Sequence, residues 1–151
     1  MENRHIIPIA GFDYHQDELK RLMDEENVYY TCSKKELLDD YGVDPDEKIY
    51  QYEIASYPLH IEAEPDNPYD PNAVKVFAGD TFVGYVPRGR FGDLIHLSQT
   101  PGVQATVDIY GGNYKYFEYD EDEDYLGTME NKYFKLKKAS DNLKAVMAFE
   151  W

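Results

Sequence analysis

Tyr69 and Asp70 sit side by side in a stretch braced by Pro65, Pro68 and Pro71. Each proline holds φ near one value and reduces the entropy lost when the segment orders. Asn67, Asp70 and Asn72, interleaved with them, have short polar side chains that bond back to nearby backbone in turns. The pair is therefore expected on a rigid bend just ahead of the β-rich run 73–78. An aromatic face beside a carboxylate on such a bend suits stacking of a nucleobase and acceptance of a hydrogen bond from a sugar hydroxyl. The same residues equally suit an Asx-turn that only organises entry into the strand.

Downstream, Arg88 and Arg90 follow the run 81–86 and precede an expected helix, a place friendly to anions; pairing with the abundant carboxylates is the competing use. Lys132, Lys135, Lys137 and Lys138 alternate with Tyr133, Phe134 and Leu136, which reads as the solvent face of a strand. The acidic run 120–124 lacks the spaced ligands and glycine of a calcium loop and reads as a solvated hairpin tip. Catalytic chemistry finds little footing. His5, His15, His60 and His96 show no metal-ligand spacing, and Cys32 is the single cysteine, so neither an internal disulfide nor a multi-cysteine zinc site is available. Hydrolase, dinucleotide-binding and phosphate-loop motifs are missing. A non-enzyme without metal or cofactor is expected.

The elements that must position these residues are short. Strands are expected at 4–12, with Pro8 marking an edge or a bulge, and at 28–32, 48–55, 58–63, 103–110, 114–119 and 132–138, with a final strand or a mixed tail at 144–151. The runs 73–78 and 81–86 flank Gly79-Asp80, a hairpin signal. Leu19, Leu22 and Met23 mark a short helix. A capping-box pair, Ser33 and Glu36, opens a second over 34–41, ending near Gly42. Phe91, Leu94 and Ile95 mark a third, closed by Pro101-Gly102. The fold class is thus mainly β with short helices (α+β), a small twisted β-barrel or closed sheet decorated by about three short helices.

Composition bounds the partners. The 151 residues hold 30 Asp+Glu against 15 Lys+Arg, a net charge of −15, and 15% aromatics. An aromatic-rich chain of this length can bury a core and form one domain over 1–151. A strongly acidic body repels phosphate backbones in general, so nucleic acid would need a local site. Residues 57–118 are less acidic, at net −4, than 1–56, at net −8. The first apolar run, 6–11, is too short for a signal core or a membrane span, which makes a soluble cytoplasmic protein the default.

The string EPDNPYDPNAVKV, the hairpin, VGYVPR and an upstream AGFDYHQ together resemble the HIRAN family, most strongly over 59–90 and more weakly over 6–15 and 103–116. The resemblance implies a modified OB-like barrel and capture of the 3′-hydroxyl end of single-stranded DNA. On it, Tyr69 stacks the terminal base, Asp70 accepts from the 3′-hydroxyl, and Asn67 shares their turn. Tyr14 lines the pocket, Arg88 holds a phosphate and Tyr116 stacks a second base. Tyr85 stands where the DNA-binding members carry a histidine, and Asp13 where they carry a basic residue. An acidic insertion at about 16–57 and an acidic hairpin loop at about 119–131 have no clear counterpart. The alternative is an acidic module that keeps the fold and docks a basic protein partner.

Overall fold

The computed structural model describes residues 2–119 and 134–151. The nine strands are β1 (Arg4–Pro8), β2 (Ile49–Tyr50), β3 (Ala55–Ala63), β4 (Val74–Ala78), β5 (Thr81–Tyr85), β6 (Gln104–Gly111), β7 (Tyr114–Tyr119), β8 (Phe134–Ala139) and β9 (Leu143–Glu150). Two α-helices, α1 (Gln16–Arg21) and α2 (Phe91–Ser98), and a π-helical turn at Glu36–Asp40 are the three short helices expected. Single 3₁₀ turns lie at Phe12–His15 and Val28–Thr31. No helix among the described residues is long and apolar enough to cross a membrane.

The chain forms two compact units. The first comprises 2–24, 54–110 and 143–151 and carries most of a six-stranded antiparallel sheet ordered β1-β9-β6-β3-β4-β5. Its core is Ile7, Ile9, Leu19, Val76, Val83, Leu94, Val107, Ile109, Met147 and Phe149. Helix α2 contributes Leu94 and Leu97 to the interior, while its first residue, Phe91, is 46% exposed although the helical spacing groups it with Leu94. Asp108 is a buried carboxylate in β6. It accepts from the Arg4 guanidinium at 3.0 Å, the Ser56 hydroxyl at 2.7 Å and the Thr106 hydroxyl at 2.8 Å, so its lone pairs are spent on β1, β3 and its own strand.

The second unit comprises 25–53 and 111–142 and carries the sheet β2-β7-β8. Leu37 and Ile49 are its buried apolar anchors. The capping box forms as expected: the Ser33 N–H donates to the Glu36 carboxylate and the Glu36 N–H to the Ser33 hydroxyl. Hydrogen bonding from Ser33, its backbone N–H first and its side chain second, holds the Glu36 carboxyl below its ordinary value. Lys135, Lys137 and Lys138 are exposed along β8, the solvent face expected of them. Lys132, Tyr133 and the acidic run 120–124 lie outside the described residues.

Three expectations are corrected. The six-stranded sheet does not close into a barrel. Its outer strands, β1 and β5, meet through the Ala10–Tyr85 bridge alone among the described residues. Pro8 has no N–H to extend the ladder, and Gly11, at φ 77°, turns the chain away into the 3₁₀ turn. The run 28–32 is a 3₁₀ turn, because the Asn27 side chain accepts the Tyr29 N–H and caps it. The run 48–55 is broken into β2 and the start of β3. Gln51 and Glu53 give their N–H groups to Asn113 and Glu25, and the chain leaves the second unit at residue 53.

Candidate nucleic-acid interface

The turn between β3 and β4 is built from Asn67. Its side-chain carbonyl accepts the N–H groups of Tyr69 at 2.8 Å and Asp70 at 3.0 Å, and its Nδ2 donates to Glu64 Oε1 at 2.6 Å. Asp70 Oδ1 accepts the Asn72 N–H at 2.9 Å, while the Ala73 N–H returns to the Asp70 carbonyl. The backbone donors around the bend are thereby occupied from within it. The Tyr69 ring is left 89% exposed, while Asp70 is half-buried.

Glu64 lies beneath the bend as a hub. Its Oε1 accepts from Asn67 and from the Tyr85 hydroxyl at 3.0 Å, and its Oε2 meets Lys75 Nζ at 2.8 Å. The Lys75 ammonium, reinforced by Asn67 and Tyr85, holds the Glu64 carboxyl below its ordinary 4.5. The hydrogen bond to Glu64 in turn raises Lys75 above 10.5. Burial, then the Glu64 carboxylate, raises the Tyr85 phenol above 10.0. Lys75 also lies 5.2 Å over the Phe82 ring, and Phe82 meets Tyr85 edge-on at 5.3 Å. Asn67 and Tyr85 are therefore both tied to a Glu64–Lys75 ion pair that rests on an aromatic ring.

Arg88 enters from a second turn. The Arg90 N–H bonds the Pro87 carbonyl at 3.1 Å across Arg88 and Gly89, and Gly89 has φ 81°, the position a type II turn reserves for glycine. Arg88 occupies the apex, its side chain 79% exposed, with Nε 3.4 Å from Asp70 Oδ2. Arg90 instead binds Asp93 at 3.0 Å, the carboxylate pairing weighed as its competing use.

Asn67, Tyr69, Asp70, Tyr85 and Arg88 line one open cavity of about 400 Å³, with Ala10 among its other walls. Ala10 is placed there by its reciprocal 2.8 Å backbone bonds with Tyr85. Tyr14 lies beyond, on the 3₁₀ turn that follows Gly11, with its ring 89% exposed. Tyr116 belongs to β7 of the second unit. Glu64 and Lys75 were missed as site residues. They stand 11 positions apart, and nothing in their local pattern joins them until β3 and β4 pair. Among the described residues no cluster of His, Cys, Asp and Glu is placed to hold a metal ion.

The HIRAN domain model matches residues 4–137, nearly the whole chain. The chain belongs to the HIRAN family. The HIRAN domain is a nucleic-acid-binding domain, and itself a binding rather than a catalytic module. No curated protein and no solved structure matches this chain. In this HIRAN chain the cavity pairs an exposed aromatic face with one carboxylate and one guanidinium, groups that can stack a base, accept a hydroxyl proton and hold a phosphate oxygen.

Proposed function

We propose that this protein captures the 3′-hydroxyl end of single-stranded DNA, without chemistry. Tyr69 stacks the terminal base, Asp70 accepts from the hydroxyl and Arg88 holds the phosphate. Asn67 and Tyr85 keep the bend and the cavity wall in place. Tyr14 adds an aromatic face from the 3₁₀ turn. The observation that carries the reading is the convergence of Asn67, Tyr69, Asp70, Tyr85 and Arg88 on one open cavity, with the Tyr69 ring exposed and its bend already ordered. A pre-ordered bend spares the complex part of the entropy of fixing a binding loop. The whole chain is read as one HIRAN-type domain, with 16–57 and 119–131 as acidic insertions.

Fluorescence anisotropy with 3′-hydroxyl and 3′-phosphate oligonucleotides tests it. The hydroxyl end binds more tightly, because a phosphate would face the Asp70 carboxylate. Equal binding of both, or none, rejects end capture.

A second reading, a module that docks a basic protein, is favoured by the net charge of −15. Recovery of a protein partner that survives nuclease, together with no oligonucleotide binding, would select it.

A further inference from the structure

The second unit carries an open cavity of its own, about 260 Å³ in volume, walled by three short segments: Asn27 and Tyr29, Tyr41 to Val43, and Glu47 to Ile49. Local hydrogen bonds hold each segment. Asn27 caps its 3₁₀ turn by accepting the Tyr29 N–H at 3.0 Å. The Val43 N–H returns to the Leu37 carbonyl at 2.8 Å, past Gly42 at φ 63°, and the Glu47 N–H donates to the Asp44 carbonyl at 3.0 Å. The volume lies below the roughly 300–1,000 Å³ of pockets for drug-sized ligands, which suits one inserted side chain.

The walls are aromatic and acidic. Tyr29 and Tyr41 meet edge to face, with centroids 5.2 Å apart and planes at 76°, and the two residues are 39% and 56% exposed. Such a contact uses one face of one ring and leaves the others to a ligand. The same unit already sets ammonium groups on tyrosines: Lys115 lies 4.9 Å over the Tyr30 ring and Lys48 4.8 Å over the Tyr114 ring. Lys48 borders the cavity, but its ammonium is thereby held on a ring that is not one of the walls. Among the described residues, no cation of the chain lies over Tyr29 or Tyr41. Glu47 is exposed and adds a carboxylate, and the segment 36–47 carries six Asp or Glu and no Lys or Arg.

We propose that this cavity takes the guanidinium of an arginine presented by a basic protein partner, against the Tyr29 and Tyr41 rings and paired with Glu47. Carboxylates alone would draw in any cation. The ring pair adds a preference for guanidinium, which is planar, weakly hydrated, stacks on aromatic faces and forks onto a carboxylate. The inference is independent of end capture, because no wall of this cavity belongs to the first unit; it rests on the second reading, docking of a basic protein, and gives that reading a site.

The test is an NMR titration of the isotope-labelled full chain with an arginine–glycine repeat peptide, beside the same peptide with lysine or citrulline replacing arginine. The arginine peptide is expected to shift the amides of 27–29, 41–43 and 47–49 and to bind more tightly than the lysine peptide. Citrulline, which keeps the planar shape and loses the charge, should not bind. Tyr41→Ala is expected to weaken the arginine peptide about 2- to 30-fold, one cation–ring contact of about 0.5–2 kcal/mol converted at 1.4 kcal/mol per tenfold, while Tyr41→Phe retains its affinity. Glu47→Gln should weaken it more than Glu2→Gln, which removes the same charge from an exposed position of the first unit, and this comparison decides the matter even if Tyr41→Ala does not fold. Citrulline binding as well as arginine, a lysine peptide binding as well or better, or equal losses from Glu47→Gln and Glu2→Gln overturn the proposal. So does binding that shifts other amides and ignores Tyr41→Ala, although basic docking then stands. Failure of the basic-partner reading looks different: no cationic peptide binds anywhere on the chain.

Discussion

Arg88 Nε lies 3.4 Å from Asp70 Oδ2, a pair that reaches across from the turn 87–90 to the turn after β3 in the wall of the cavity bordered by Tyr69. The Arg88 side chain is 79% exposed, so the pair itself contributes only about 0–1 kcal/mol to stability. Its value lies in position: the carboxylate keeps the guanidinium at the rim, and a phosphate can replace the carboxylate with little cost.

Arg88→Ala is accordingly expected to leave the melting temperature almost unchanged and to weaken oligonucleotide binding irrespective of sequence. The slope of log affinity against log salt should fall in magnitude by about 0.7, one phosphate contact on a single strand. Anisotropy titrations at several salt concentrations check this. An unchanged slope removes Arg88 from phosphate binding.

Asn67→Ala should be costly for its size. It strips one acceptor from the N–H groups of Tyr69 and Asp70 and one donor from Glu64. An expected loss of about 1–3 kcal/mol, read by urea denaturation, follows from leaving such groups unpaired. Binding should fall with it, while Tyr69→Ala, which removes an exposed ring, should weaken binding and leave stability within about 0.5 kcal/mol.

The Glu64–Lys75–Tyr85 cluster sets a pH window. Glu64 titrates below 4.5 in the folded state, so its stabilisation is complete above 4.5 and is lost as pH falls through the lowered folded value. Lys75 titrates above 10.5, so its share is complete below 10.5 and is lost as pH rises through the raised value. Tyr85 stays protonated past 10.0 in the fold, so the unfolded chain ionises first and stability declines from there upward. Glu64→Gln should therefore lower stability at neutral pH, and its difference from wild type should shrink below pH 4.5. Denaturation midpoints between pH 3 and 7 measure it; a constant difference would show that the carboxylate charge contributes nothing.

Gly84→Ala should damage both fold and site. A Cβ there would lie 2.5 Å from the Ala10 carbonyl oxygen and 2.5 Å from Ile9 Cγ2, next to the Ala10–Tyr85 bridge. Overpacking of this kind costs about 1–3 kcal/mol. Loss of amide-exchange protection at Ala10 and Tyr85 would locate the damage. An unperturbed bridge would show that the strands part easily.

Much of the architecture was legible in local pattern. The Gly79-Asp80 hairpin, the Ser33–Glu36 capping box and the edge strand marked by Pro8 all form where composition places them. Each depends on neighbours within a few positions, where proline, glycine and short polar side chains act directly on φ and on backbone hydrogen bonds. The rigid bend under Tyr69 and Asp70 was legible for the same reason. Local pattern failed at 28–32, where an Asn27 cap outweighed β-favouring residues, and at Phe91, whose helical spacing suggested burial while its helix turn emerges from the core.

What the chain order could not decide is which distant groups meet. Glu64 finds Lys75 and Tyr85 only once β3, β4 and β5 are in register, and Ala10 becomes a wall of the cavity only because Gly84 lets two backbones approach. Asp108 gathers Arg4 and Ser56 from two other strands. By itself the sequence determined the rigid bend, the short elements and the family motif, because those rest on contacts between near neighbours. The tertiary structure decided the open sheet, the Glu64–Lys75 ion pair and the cavity that gathers Tyr69, Asp70 and Arg88, because side chains far apart in the chain share an environment only after long-range pairing and packing bring them together.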